Sequence, residues 1–152
     1  MQNPAMDWRR NLIESDDDIV EVLASARRIA VLGIKPQERA RKPAFYVPRY
    51  LQQAGYEIVP VPVYYPDCRE ILGRPVFRSV ADIPQPVDLV VVFRRSEDLP
   101  PHVNDLLAAK PPAVWFQSGI RNDAVAERLA RAGIRVVQDR CSMVEHYRVR
   151  RP

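Results

Sequence analysis

A lone glycine followed by a basic loop is the part of this sequence that most directly suggests a ligand. Gly33 ends the apolar run IAVLG, and the next residues carry the cations Arg39, Arg41 and Lys42 before Pro43. Glycine lets the chain turn sharply and lets backbone approach a ligand, while the N-terminus of a following helix offers free N–H groups to phosphate oxygens. Because no G-x-G-x-x-G is completed, the pattern predicts either a phosphate-binding loop or a basic solvated turn.

Two other segments also follow apolar runs and combine charge or amides with a turn. FRRS places two arginines after VDLVVV, and QSGIRN places a glycine turn ahead of a predicted helix. In an open parallel sheet, ligands bind beyond the carboxyl ends of the strands, near the point where strand order reverses. We therefore expect both segments to meet the glycine loop in space, although the arginines could also be an exposed pair beside a helix cap. The candidate residues are Phe93, Arg94, Arg95, Gln117, Gly119 and Ile120.

A cysteine, a glutamate and a histidine near the C-terminus raise a second hypothesis, nucleophilic catalysis by a thiol. Cys141, Glu145 and His146 lie close in sequence, but residues five apart on a helix do not share a face, and a thiol enzyme needs Cys and His within hydrogen-bond reach. We predict no catalytic residue and no metal site. Glu145 and His146 are expected to make structural contacts, and Cys141 could form a mixed disulfide with a thiol ligand.

The end of the second predicted strand argues against NAD. Dinucleotide dehydrogenases place an Asp or Glu about 20 residues beyond the glycines to bind the ribose hydroxyls. Here the strand ends at Val61 and Pro62 without a carboxylate. A phosphorylated ribose would be repelled by a carboxylate, so these residues predict an apolar wall for adenine or, more simply, the end of a strand.

Short apolar strands alternate with amphipathic helices along the whole chain. This alternation predicts one α/β domain over residues 1–152, a doubly wound parallel sheet of about five strands with helices on both faces. Strands are predicted at residues 29–33, 56–61, 87–93, 113–116 and 134–137, with a further short strand at 74–77, and helices at 15–27, 44–54, 102–109, 122–132 and 142–146.

Composition excludes several function classes. The 152 residues are 47% hydrophobic and 28% charged with a net charge of +4, which is ordinary for a soluble domain. No apolar run approaches a membrane span and no secretory signal is visible. Two distant cysteines make no disulfide framework, so we expect a cytoplasmic protein. The arginines are scattered, so nucleic acid is not expected, and the basic residues 147–152 are expected to be a solvated tail.

The motifs together resemble those of the small stand-alone CoA-binding proteins of bacteria. The matching text is IAVLG, FYVPRYLQQAGYEIVPV, ILG with ADIP, VDLVVVFRRS, VWFQSGIRN and DRCSMVEH, which spans residues 28–147. These proteins share the Rossmann-like CoA-binding domain found at the start of the succinyl-CoA synthetase alpha subunit. That synthetase needs a phosphorylated histidine from a separate domain, which this chain lacks, so its activity is not transferred.

The resemblance implies that the cofactor is coenzyme A or an acyl-CoA. Gly33, Ile34, Lys35 and the loop up to Pro43 would hold the pyrophosphate. Val61 and Pro62 would border the nucleotide, Phe93 and Arg94 would close the other side, and Gln117, Gly119 and Ile120 would lie toward the pantetheine arm. We expect a non-catalytic carrier, sensor or regulator. A partner-dependent enzyme acting on acyl-CoA thioesters, an interaction module with a decayed nucleotide site, and an unidentified protein partner stay open.

Overall fold

Five parallel strands form the sheet that carries the candidate site. The computed structural model describes residues 4–150, and its five longer strands run in the order β2-β1-β5-β6-β7, all parallel. Two short antiparallel strands pair outside this sheet. The strands are β1 Arg28–Leu32, β2 Glu57–Val61, β3 Glu70–Ile71, β4 Arg74–Pro75, β5 Leu89–Val92, β6 Ala113–Phe116 and β7 Arg135–Val137.

Helices cover both faces of the sheet, as the alternation of elements predicts. In β1, Ile29 and Val31 belong to one core cluster, while Ala30 and Leu32 belong to the other, because successive side chains of a strand point to opposite faces. The first face is covered by α1, α2 and α5, and the second by α3 and α4. This arrangement confirms the predicted fold class. The helices are α1 Asp16–Ser25, α2 Pro43–Gln53, α3 Val103–Ala109, α4 Asp123–Arg131 and α5 Ser142–Arg150.

Two prolines lie inside regular elements, and each is accommodated by a specific feature. Pro60 lies within β2. Because β2 is an edge strand, a missing N–H can be tolerated there. Pro48 lies inside α2 and cannot donate to the carbonyl of Ala44 four residues earlier. That carbonyl instead accepts the N–H of Lys35 at 3.1 Å, so the proline ties α2 to the loop after β1.

The chain ends differ from the sequence-based expectation. We predicted no element before residue 15, but a kinked 3-10 segment, Pro4–Asn11, packs buried Trp8 beside α4. At the other end α5 continues to Arg150, so residues 147–150 are helical, although they are exposed to solvent as expected, and residues 151–152 lie outside the described part. The hydroxyl of Ser15 accepts the N–H of Asp18 and so caps α1. Within residues 4–150 no helix is long and apolar enough to cross a bilayer.

Candidate functional site

The candidate site lies where the strand order reverses. The chain leaves β1 toward β2 on one side and later returns to β5 on the other, which opens a crevice at the carboxyl ends of β1 and β5. Gly33 follows β1 and Phe93 follows β5. Gly33 has a φ of 88°, and a Cβ there would overlap the Phe93 carbonyl oxygen. The glycine is therefore required because two loops approach each other closely at the base of the crevice.

The crevice is a cleft with two lobes. The larger lobe has a volume of about 830 Å³ and the smaller lobe one of about 240 Å³. The volume of the larger lobe falls in the range of typical ligand pockets, about 300–1,000 Å³. Lys35, Phe93, Arg94 and Arg95 line both lobes. The smaller lobe is completed by Gly33, Ile34, Val63, Tyr64, Tyr65 and Asp98. The larger is completed by Lys42, Pro43, Ala44, Tyr46, Val47, Ser96, Glu97, Gln117, Ser118, Gly119, Ile120, Cys141, Met143 and Val144.

Three cations of the cleft have no carboxylate partner among residues 7–150. These are Lys35, Lys42 and Arg94, none of which takes part in an ion pair there. Arg95 differs, because its Nε lies 3.0 Å from Asp98 and its side chain is 75% exposed. Glu97 also pairs with Arg95, so four cations and two carboxylates line the cleft, and this net positive charge favours an anionic ligand.

Arg94 is held in place by two uncharged groups. Its Nε donates to Nε2 of His102 at 3.2 Å, and its Nη1 donates to the hydroxyl of Tyr64 at 3.3 Å. The guanidinium also lies 5.3 Å from the centre of the Tyr64 ring. Burial, followed by the nearby Arg94 charge, lowers the pKa of His102, so the imidazole stays neutral and accepts from the arginine. Arg94 is thus oriented while its charge remains available to a ligand.

The first turn of α2 adds backbone donors beside these cations. Pro43 occupies the first position of α2, where its missing N–H leaves no intrahelical hydrogen bond unmade. The N–H of Ala44 has no acceptor among the described residues, and Ala44 lines the larger lobe. Lys42, immediately before the helix, and Lys35, hydrogen-bonded to Ala44, flank this free donor. A helix N-terminus with two lysines is suited to phosphate oxygens.

The far end of the larger lobe is formed by the QSGIRN loop and the start of α5. Gly119 has a φ of 82° and donates its N–H to Asp139. Gln117 is 3% exposed, and its Oε1 accepts the N–H of Ser142 at 3.0 Å. Ile120 completes this wall and donates its N–H to the Gln117 carbonyl. The loop and the helix are therefore joined through one buried glutamine.

Not every predicted residue lines the cleft. Arg39 and Arg41 are exposed and line neither lobe. Val61 and Pro62 are buried behind the wall, because Val61 belongs to the core and its carbonyl accepts the N–H of Gly33. The wall at this side is instead formed by residues 63–65. The N–H of Gly33 is consequently not available to a ligand.

Several lining residues were missed by sequence reasoning. Tyr46 and Val47 lie three and four residues after Pro43 on α2. Residues at this spacing share one face of a helix, so a helix predicted to begin at Pro43 would have placed them in the cleft. Met143 and Val144 carried no such signal, because they line the cleft only through the way α5 folds back.

Cys141 and His146 lie in different places. Cys141 lines the larger lobe, whereas Nδ1 of His146 lies 2.9 Å from the hydroxyl of Tyr50 and its ring packs edge-on against Tyr50 and Tyr56. His146 lines a separate pocket together with Tyr56. Glu145 pairs with Arg140 and Arg148. No cluster of three His, Cys, Asp or Glu side chains that could hold a metal occurs in the described part of the chain.

Comparison with known proteins supports the resemblance seen in the sequence. The CoA binding domain family matches residues 27–147. The chain belongs to the CoA binding domain family. The family's Bacillus subtilis (strain 168) relative, the uncharacterized protein YneT, is 36% identical over 146 residues, which is 96% of this chain and 97% of that one.

Solved structures share the fold of this chain. The cell-free ID.343 protein of Thermus thermophilus superposes with a TM-score of 0.81 at 41% identity, over 90% of this chain and 99% of that one. The apo acetyl-coenzyme A synthetase 1 of Ca. Korarchaeum cryptofilum has a TM-score of 0.59 at 20% identity, over 72% of this chain and 25% of that one. The second likeness shows that this fold also occurs as one part of a longer chain.

Proposed function

We propose that the protein binds coenzyme A or an acyl-CoA in the two-lobed cleft and acts as a non-catalytic carrier, sensor or regulator. The observation that carries this proposal is the set of unpaired cations, Lys35, Lys42 and Arg94, in one cleft of a chain from the CoA binding domain family. Coenzyme A carries a pyrophosphate and a 3′-phosphate, so it supplies several negative charges to such a cleft. Charge-assisted hydrogen bonds to phosphate are the strong ones.

The lobes suit the two halves of the ligand. The adenosine would lie in the smaller lobe, against the apolar and aromatic wall of Val63 and Tyr64. The pyrophosphate would lie at the free N–H of Ala44, between the two lysines. The pantetheine arm would then follow the larger lobe past Gln117 and Ile120 toward Cys141.

The separation of Cys141 from His146 supports a non-catalytic role. A thiol nucleophile is activated by an adjacent base, and His146 instead contacts two tyrosines outside the cleft. Both cysteines are free thiols, which fits the reducing cytoplasm that we propose as its compartment. A partner-dependent enzyme remains the alternative, and turnover of a thioester by the purified chain alone would contradict the carrier role.

Isothermal titration calorimetry with coenzyme A, dephospho-CoA and NAD tests the proposal. We expect coenzyme A to bind, dephospho-CoA to bind more weakly because it lacks the 3′-phosphate, and NAD to bind weakest. Binding of NAD alone would overturn the proposal, and no binding of any of the three would favour an interaction module with a decayed site.

A matched pair of charge-removing variants locates the ligand. Lys42→Ala removes a cation that lines the cleft, and Arg41→Ala removes one that does not, so both change the net charge equally. A hydrogen bond to a charged group contributes about 1.5–3 kcal/mol, so Lys42→Ala should raise the Kd for coenzyme A at least about tenfold. Arg41→Ala should change it by about twofold or less at physiological salt. Equal effects would show that only the general positive field attracts the ligand.

A further inference from the structure

The far end of the larger lobe contains hydrogen-bond donors without acceptors. Gln117 is 97% buried, since it is 3% exposed, and its Oε1 is occupied by the N–H of Ser142. This bond fixes the amide so that Nε2 is the free end, and Nε2 has no acceptor among the described residues although Gln117 lines the cleft. Ser142 Oγ is the fully buried unpartnered side-chain atom of the described residues, so Nε2 of Gln117 is reachable from the cleft and can donate to a ligand.

The first turn of α5 adds two more donors at the same place. The N–H groups of Met143 and Val144 have no acceptor in the described chain, because the first hydrogen bond of this helix is from Glu145 to the Cys141 carbonyl. Both residues line the larger lobe. A nine-residue helix also places its positive end here. Three donors at one place favour a ligand atom that accepts hydrogen bonds.

We infer that Gln117 and the first turn of α5 bind the carbonyl oxygen of an acyl-CoA thioester, so that the protein favours acyl-CoA over free coenzyme A. This inference rests on the proposed binding of coenzyme A in the cleft. A free thiol is a weak acceptor, whereas a thioester carbonyl accepts from amide donors at a helix N-terminus. The apolar side chains of Ile120, Met143 and Val144 offer the acyl chain a non-polar surface.

The alternative occupant of these donors is an amide carbonyl of the pantetheine arm, which every form of the cofactor carries. The two occupants are separated by comparing acetyl-CoA with S-ethyl-CoA, a thioether with the same two-carbon chain on sulfur but a CH2 in place of the carbonyl. Pantetheine is identical in the two ligands, so only a contact to the thioester carbonyl can distinguish them.

Calorimetry of the whole chain with coenzyme A, acetyl-CoA and S-ethyl-CoA provides the test. We expect acetyl-CoA to bind about tenfold or more tightly than S-ethyl-CoA, as one or two hydrogen bonds to buried donors would give. Equal affinities for the two, with coenzyme A also bound, would overturn this inference and leave the proposed function intact. No binding of any of the three would overturn the proposed function, and this inference with it.

Two glutamine variants test whether Gln117 causes the preference for acetyl-CoA over S-ethyl-CoA. Gln117→Met keeps the length of the side chain and removes the amide, so the ratio of the two Kd values should fall toward one, while the N–H groups of Met143 and Val144 retain part of the preference. Gln52→Met makes the same change on α2, where the amide donates to the Leu72 carbonyl outside the cleft, and the ratio should stay as in the wild type. A ratio that survives Gln117→Met, or an equal loss of affinity for both ligands, would contradict the role of Gln117.

Discussion

Replacement of Gly33 by alanine tests how the two loops at the base of the cleft are packed. Gly33 and Gly133 both have a φ of 88°, a region that costs an L-residue about 1–2 kcal/mol. At Gly133 no atom lies within 4 Å of an added Cβ, whereas at Gly33 the Cβ would overlap the Phe93 carbonyl. Gly133→Ala is therefore a control that carries the same backbone strain without the clash.

The magnitude follows from separating the two costs. Alanine reduces the conformational freedom of the unfolded chain equally at both positions, so that contribution cancels in the comparison. Gly133→Ala should lower the free energy of unfolding by about 1–2 kcal/mol. Gly33→Ala should lower it by about 1–3 kcal/mol more, the usual cost of forcing extra atoms into packed structure.

Urea denaturation at 25 °C, followed by circular dichroism, measures both changes, and equal m-values would show that the unfolded states are comparable. Calorimetry should also show weaker binding of coenzyme A by Gly33→Ala, because Phe93 must shift and it carries Arg94 with it. Gly133 lies at the end of α4, away from the cleft, so its variant should bind as the wild type does. If the two variants lost equal stability, the close approach of the two loops would not be a rigid constraint and the reasoning would fail.

Two further predictions concern buried groups. Burial, followed by the charge of Arg94, lowers the pKa of His102, and burial, followed by the charge of Arg150, lowers the pKa of His146. The unfolded chain therefore takes up protons at a higher pH than the folded chain does, starting at about pH 6.5. As a result, the free energy of unfolding should decrease from pH 7 toward pH 5. Urea titrations at several pH values measure this slope, which His102→Gln should reduce, and a stability that rises over this range would contradict the lowered values. The hydroxyl of Ser142 is fully buried without a partner in the described chain, so Ser142→Ala should raise the free energy of unfolding by about 1 kcal/mol; a clear loss of stability would mean that the hydroxyl is hydrogen-bonded after all.

Periodicity was sufficient to predict the sheet and its helices. The predicted strands contained β2, β5, β6 and β7, and the predicted strand at 29–33 overlapped β1 with an offset of one residue. These features are local, because burial on both faces of a parallel sheet requires continuous apolar runs. The 3-10 segment around Trp8 was missed, since its packing on α4 depends on residues more than a hundred positions away.

The site was predicted as a set of loops but not residue by residue. Gly33 was expected to let backbone approach a ligand, and instead it admits the Phe93 carbonyl from β5, sixty positions along the chain. The cations of the basic loop could not be ranked from sequence, because only the fold decides that Lys42 lines the cleft and Arg41 does not. Val61 and Pro62 lie just before the wall, an offset of about two residues that strand boundaries commonly carry.

Pro48 shows how a local irregularity can organise the site. A proline inside a helix frees one carbonyl, here that of Ala44, and a freed buried carbonyl needs a donor. The donor is the N–H of Lys35, so the loop after β1 is held against the first turn of α2. This hydrogen bond holds the backbone of Lys35 beside the first turn of α2, directly after Lys42. Cations that are positioned before binding lose less entropy when a ligand arrives. Pro48 therefore weakens α2 as an isolated helix but helps to organise the cleft for an anion.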